Sequence, residues 1–395
     1  MPSISKTLLL ALIFMAALPL LSTNMFLASI GEIAKEFDTG YDTIALALSA
    51  YLIFAAIVQI IVGPIADQFG RKPVLLISCI IFILASTGAA TAENYISFLI
   101  FRILQGSIAT GLALSRVIVS DIVSPKEAAS MLGYISMAMS LAPVLGPTIG
   151  GLLAEFAGWR SNFWLYSCFG SVLLWLIWNH LPETGTKNYS TPREFFNAFI
   201  TLISIYEFWA YTLILSLGIG GFFCFITGIP IVANNQFDIE QGQIGLCIGS
   251  ITCGFLFGSF LSGRYASKYG LDTMILSGRC VACFGLAITI ALFACGFISL
   301  RNLLCGIIFV GIGNGLTSPS ANLAIISIRK DLSASASGLA GASIVLIGAL
   351  ITAITGLILD IYPNAIALVS IMGCITLTSL GISLRQILIK KRQFR

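Results

Sequence analysis

Long apolar runs, repeated from one end of the chain to the other, limit this sequence more than any other feature. Read between charges and turn residues, twelve of them occur, at approximately 7–31, 43–66, 74–92, 96–119, 128–156, 161–180, 207–232, 242–263, 273–297, 302–327, 334–359 and 364–388. A helix rises about 1.5 Å per residue, so runs of this length cross the roughly 30 Å of a bilayer's hydrocarbon. Hydrocarbon offers backbone N–H and C=O groups no partner, so each run is expected to be a helix. Only 10% of the residues are charged and 57% are hydrophobic, where a soluble domain carries about 25% charge. The expected fold class is therefore an all-α membrane protein with twelve transmembrane helices. The first run follows Lys6 and resembles a signal peptide, but it is too long for the apolar core of one and is expected to be span one.

Charge orients the chain. An even number of spans puts both termini on one face, and fifteen of the 21 Lys and Arg residues fall on that face. The opposite face has Lys35, Arg160 and Arg301, and Arg102, Arg116 and Arg279 lie within spans. The positive-inside rule then predicts cytoplasmic termini. The chain also repeats itself. Gly63 to Gly70 reads GPIADQFG, and 200 positions later Gly263 to Gly270 reads GRYASKYG. Phe37-Asp38 recurs at the same offset as Phe237-Asp238. Two pseudo-symmetric six-helix halves, 1–180 and 207–395, joined by a polar cytoplasmic linker at 181–206, are the expected organisation.

Several functions are disfavoured. The net charge of +4 is spread over loops, which gives nucleic-acid binding no support. All ten cysteines lie in apolar runs, and Cys280-x-x-Cys283 has no second ligand pair, so they read as small packing residues. The single histidine, His180, ends a span without acidic or thiol company. No metal or cofactor site is expected. A membrane enzyme or receptor is disfavoured by the lack of a Walker-type loop, a metal-ligand cluster or a sizeable soluble domain. Leu181-Pro182-Glu183-Thr184-Gly185 spells a cell-wall sorting signal, but six further spans follow it, so it is read as chance.

Chemistry concentrates at a few places. The turn after span two holds Gly63, Asp67, Gly70, Arg71 and Lys72. Glycine gives such a turn backbone freedom, and Asp67 could face a helix N-terminus. A plain solvated loop is the alternative. In span four, Arg102, Gln105 and Arg116 share one helical face, with Arg102 and Arg116 about 21 Å apart. An arginine in mid-membrane costs roughly 2.5–3.5 kcal/mol if it faces lipid. Arg102 should therefore face the bundle interior, either lining a cavity or donating to span one. Arg116 is expected near Asp121 at the cytoplasmic end. Gly146-Pro147 with Gly150 and Gly151 should bend span five as a hinge. Ser124-Pro125-Lys126-Glu127 reads as a capping box. Asn314, Thr317, Ser318 and Asn322 share a face of span ten, and span seven offers Phe222 and Phe223.

Gly63-x-x-x-Asp67-x-x-Gly70-Arg71-Lys72 resembles the loop 2–3 signature of the major facilitator superfamily. Arg102-x-x-Gln105-Gly106 is similar to its fourth-span motif, and Gly146-Pro147-x-x-Gly150-Gly151 to the fifth-span motif of its exporters. Trp159-Arg160 and Leu181-Pro182-Glu183-Thr184 resemble residues of the bicyclomycin- and chloramphenicol-resistance type of drug/proton antiporter. The resemblance implies that Arg71 pairs with Asp121 and that Asp67 faces the start of span eleven near Ser333, as a cytoplasmic gate holding the outward-facing state. That type usually carries an aspartate in span one, where this chain has Asn24, which cannot titrate.

The expected function is export of a small organic compound, a drug or metabolite, across a bacterial inner membrane, by a monomer. Its partners are the substrate and the bilayer, with protons in question because of Asn24. Asn24, Arg102, Gln105, Asn314, Asn322, Phe222 and Phe223 are the expected cavity residues. The alternative is a metabolite importer, exchanger or facilitator of the same fold.

Overall fold

The computed structural model describes residues 5–185, 200–237 and 241–393. Most of the expected linker, including Lys187 and Arg193, lies outside the described residues, as does Asp238. The described residues are helical almost throughout, with no strand among them.

The spans follow in chain order: one Lys6–Glu36, two Tyr41–Phe69, three Arg71–Ala90, six Arg160–His180, seven Tyr206–Val232, eight Gln241–Tyr269, nine Leu271–Ala294, ten Leu300–Ser327, eleven Ser333–Ile361 and twelve Ala365–Gln393. Spans four and five are interrupted. Span four runs Tyr95–Leu104, tightens into a 3₁₀ turn at Gln105–Ile108 and resumes at Ala109–Ile122. Span five consists of Pro125–Met139 and Ala142–Ala157. Ten helices among the described residues are long and apolar enough to cross a membrane by length and composition. Of the other two expected spans, span five is in two short pieces, and span eight is one continuous helix of 29 residues.

Local sequence sets where helices begin. Ser5 accepts from the amide of Leu8, Asn94 from that of Ser97 and Ser299 from that of Asn302. These caps satisfy amides that have no partner within the first turn. Ser124 and Glu127 form a reciprocal capping box ahead of span five.

Span five has a break that was not expected from sequence. It falls at Ser140–Leu141, and Gly146-Pro147 lies inside the helix Ala142–Ala157. Pro143 has no N–H to offer Met139, and the Ser140 hydroxyl instead turns back to the carbonyl of Met137 at 2.6 Å.

The chain forms two compact units. One comprises Met1–Ile122, Leu141–Ile200 and Arg329–Ala342. The other comprises Val123–Ser140, Thr201–Ile328 and Ser343–Arg395. Each therefore takes most of one sequence half and a short piece of the other, and the division within span five coincides with its break. The first unit has an aromatic core in which Phe26, Phe98, Trp159 and Phe163 meet mostly edge to face, with centroids 5.4–6.5 Å apart. The second packs Phe225, Ile229, Ile251, Leu286, Ile307 and Leu368 into one apolar cluster. In lipid such packing depends on close fit, because burying apolar surface gains little there.

Candidate functional site

In the first unit, the turn between spans two and three gathers charge around the start of span eleven. Gly70 turns the chain with φ +97°, a backbone that glycine adopts without strain. Asp67, on the last turn of span two, accepts from the Ser335 amide at 3.0 Å, the Ser335 hydroxyl at 2.9 Å and the Ala334 amide at 3.4 Å. A carboxylate placed there answers the free amides and the dipole of span eleven. Gly63 makes this approach possible: a Cβ on it would lie 2.5 Å from the Ala334 carbonyl oxygen. Arg71 is buried, with Nε 3.1 Å from Asp121 Oδ2 and Nη2 3.7 Å from Asp67 Oδ1. Its Nη2 also donates to Ser333 Oγ at 2.9 Å. Lys72 points elsewhere, donating to the Trp178 carbonyl at 2.8 Å. Arg116 has no ion pair with Asp121, whose carboxylate is taken by Arg71.

Arg102 is fully buried in the same unit. Its Nη1 donates to Gln105 Oε1 at 2.7 Å and its Nη2 to the Ser22 carbonyl of span one at 3.2 Å. The guanidinium lies over the rings of Phe26 and Tyr51, 4.3 and 4.5 Å from their centroids. Gln105, also fully buried, passes the chain of bonds to Ser86 at 2.7 Å. Both side chains thus bind span four to its neighbours rather than lining open space. The helix tightens at Gln105–Ile108, where Gly106 presses on span two.

Asn24 is half-buried and donates to the Leu20 carbonyl at 2.8 Å, one turn back. Gly146 faces it: a Cβ on Gly146 would stand 2.8 Å from that of Asn24. Gly150 meets Met25 in the same way, at 2.6 Å from its carbonyl oxygen. Spans one and five therefore touch through these glycines, and the fifth-span motif is a packing surface. Gly151 is half-buried beside it.

In the second unit Asn314 is buried, and it does not stand free. It accepts from Arg279 Nη2 at 2.7 Å and donates to the Gly218 carbonyl at 2.9 Å. Arg279 Nε donates to Thr317 Oγ1 at 3.0 Å. The Arg279 guanidinium thereby joins span nine to span ten through neutral partners, and Asn314 ties span ten to span seven. Sequence reasoning left Arg279 aside, although the cost of a cation in mid-span, applied to Arg102, applies equally to it. Asn322 bonds back to the Ser318 carbonyl at 2.8 Å. Phe222 packs on the apolar cluster, and Phe223 is exposed. No group of three or more potential metal ligands exists among the described residues.

The Major Facilitator Superfamily profile matches residues 11–352. The chain is 28% identical over 271 residues to the bicyclomycin resistance protein homolog of Haemophilus influenzae, covering 68% of each. It is 25% identical over 369 residues to the chloramphenicol resistance protein of Pseudomonas aeruginosa, covering 92% of this chain and 86% of the relative. Its fold is similar to the solved structure of the MFS proton:xylose symporter XylE bound to 6-bromo-6-deoxy-D-glucose. That likeness has a TM-score of 0.78 at 14% identity, over 96% of this chain and 95% of the other. With its helical spans, its loop 2–3 cluster and a match across most of its length, the chain belongs to the Major Facilitator Superfamily and is a multi-pass membrane transporter.

Proposed function

We propose that this chain exports a small organic compound across a bacterial inner membrane, with both termini in the cytoplasm and with residues 1–180 and 207–395 as its two moving halves. The observation that carries the reading is the bond between Asp67 and the amides of Ala334 and Ser335. It joins the first half to the second at the turn richest in charge, where an alternating-access cycle must make and break contact. Arg71, Asp121 and Ser333 complete this latch. Export, as opposed to uptake, is supported by the drug-resistance names of the two bacterial relatives. The substrate-facing residues proposed are Asn24 in the first unit and, in the second, Asn322 and the rings of Phe222 and Phe223. Arg102, Gln105 and Asn314 act from behind that surface by holding helices in register.

A second reading, a facilitator that runs on the substrate's own gradient, is favoured by Asn24. The test is accumulation of radiolabelled chloramphenicol and bicyclomycin in cells expressing the protein, with and without an uncoupler. Lowered accumulation that the uncoupler restores supports driven export. Equal accumulation in expressing and empty cells for these and a wider compound panel removes the export reading.

A further inference from the structure

We infer that Glu183, in the segment read from sequence as a chance match to a sorting signal, is a positioning residue of the latch: it caps span three and so sets Arg71 for its contacts with Asp121 and Ser333. The inference rests on the latch reading above.

Span three begins at Arg71, and its N-cap position is Gly70, which has no side chain to offer. The first amides of a helix have no partner inside it. Here they are met from outside the helix: Glu183 Oε1 accepts from the Arg71 amide at 2.8 Å and Oε2 from the Lys72 amide at 3.3 Å. Gly185 donates its own amide to the same Oε1 at 2.9 Å, folding the segment after span six over the turn. Lys72 Nζ holds the other side, on the Trp178 carbonyl in the last turn of span six. The seat is shaped for this carboxylate, since a Cβ on Gly70 would stand 2.6 Å from Glu183 Oε2.

The second half supplies an internal comparison. Gly270 starts span nine with nearly the same backbone, φ +80° and ψ 165° against +97° and 156°. Among the described residues, nothing lies within 4 Å of a Cβ built there and no side chain bonds to the first amides of that helix. The acid of that first turn, Asp272, is instead bound to Tyr211 and Lys390 at 2.7 and 2.8 Å. A turn of this shape therefore stands without an external cap. The one that has a cap is the one whose next residue, Arg71, reaches three other elements. Its Nη2–Ser333 hydrogen bond of 2.9 Å leaves little slack before it weakens, and its Nε stands 3.1 Å from Asp121 as an ion pair. Fixing the main chain of Arg71 is what keeps the guanidinium in range.

Hydrogen–deuterium exchange on the purified full chain in lipid nanodiscs tests this without a known substrate. Glu183→Gln should speed exchange at Arg71 and Lys72 about fivefold, the scale of a lost helix cap. It should also speed exchange at Ala334 and Ser335, which Glu183 does not touch. Asp67→Asn should speed Ala334 and Ser335 alone, and the double variant should add little there beyond either single one. Faster exchange confined to Arg71 and Lys72, or no change at either place, overturns the inference. If Asp67→Asn leaves Ala334 and Ser335 unchanged, the latch reading itself fails, a separate outcome. Glu183→Asp, too short to span both amides, replaces the Gln variant if that one does not fold.

Discussion

Asp67 holds Ser335 twice, through its amide at 3.0 Å and its hydroxyl at 2.9 Å, across 268 positions of sequence. One carboxylate thus serves as the N-terminal anion of a helix from the other half of the chain. Because an anion there gains from both the free amides and the dipole, charge matters as much as shape.

Asp67→Asn keeps the shape and removes the charge. One amide oxygen remains to accept, so the helices can still meet, with the contact weakened by about 1 kcal/mol or more. Transport should fall severalfold while membrane expression stays at the parental level. Quantified membrane blots beside the accumulation assay check this. Full transport in Asp67→Asn would show that the contact is dispensable to the cycle.

Arg102 yields a less obvious expectation. Its surroundings suit a flat, delocalised cation: two aromatic faces, one amide oxygen and one carbonyl. Arg102→Lys keeps the full cost of burying a charge and loses the fork and the stacking. Arg102→Met removes the charge with its cost and leaves neutral partners behind. The lysine variant should therefore be the less stable of the two, by about 2 kcal/mol, seen as the lower midpoint in thermal unfolding of purified protein. A lysine variant as stable as the parent would mean that water reaches the site.

The second unit offers a matched pair. A methyl group on Gly218 would stand 2.8 Å from Arg279 Nη1 and 2.9 Å from Asn314 Oδ1, whereas one on Gly221 would meet nothing within 4 Å. Gly218→Ala should push the guanidinium off Asn314 and lower stability by about 1–3 kcal/mol, the scale of overpacking. Gly221→Ala should be neutral or stabilising by up to about 1 kcal/mol, because alanine is the better helix former. Unfolding midpoints of the two variants, taken side by side, decide it; similar losses in both would remove the special role of Gly218.

Much of this was legible before any coordinates. Hydrophobic runs define helices in hydrocarbon because no other backbone state is satisfied there. The charges at Asp67 and Arg71 marked their turn as unusual for the same reason that charge is scarce elsewhere. What sequence could not show is depth and partner. Arg102 reads alike whether it lines a cavity or bonds to Ser22, since both put it on the inner face. Arg279 was placed within a span but given no role, because its partners, Asn314 and Thr317, are distant in sequence and uncharged. Gly146-Pro147 drew attention as a bend, yet Pro143 sits nearer the helix end and interrupts span five first. Glu183 stood out only within a stretch that resembles antiporter sequences, with no role attached, and only the fold brings it to the amides of Arg71 and Lys72.

Asn24 bears on what drives transport. It occupies the place in span one where drug/proton antiporters of the resembling type carry an acid, and its amide is satisfied within its own helix by Leu20. The acids nearest to replacing it are poorly suited. Glu32 is exposed, and Asp121 is engaged by Arg71. A carboxylate at position 24 can take up and release a proton, whereas asparagine does neither. Flux through the parent in reconstituted vesicles should therefore respond little to an imposed pH gradient, and Asn24→Asp should introduce a pH dependence that the parent lacks. The measurement is substrate flux against pH, with and without the gradient, for both proteins. If the parent moves substrate uphill on a proton gradient, and Glu32→Gln and Asp121→Asn both leave that intact, coupling resides in a group other than these three.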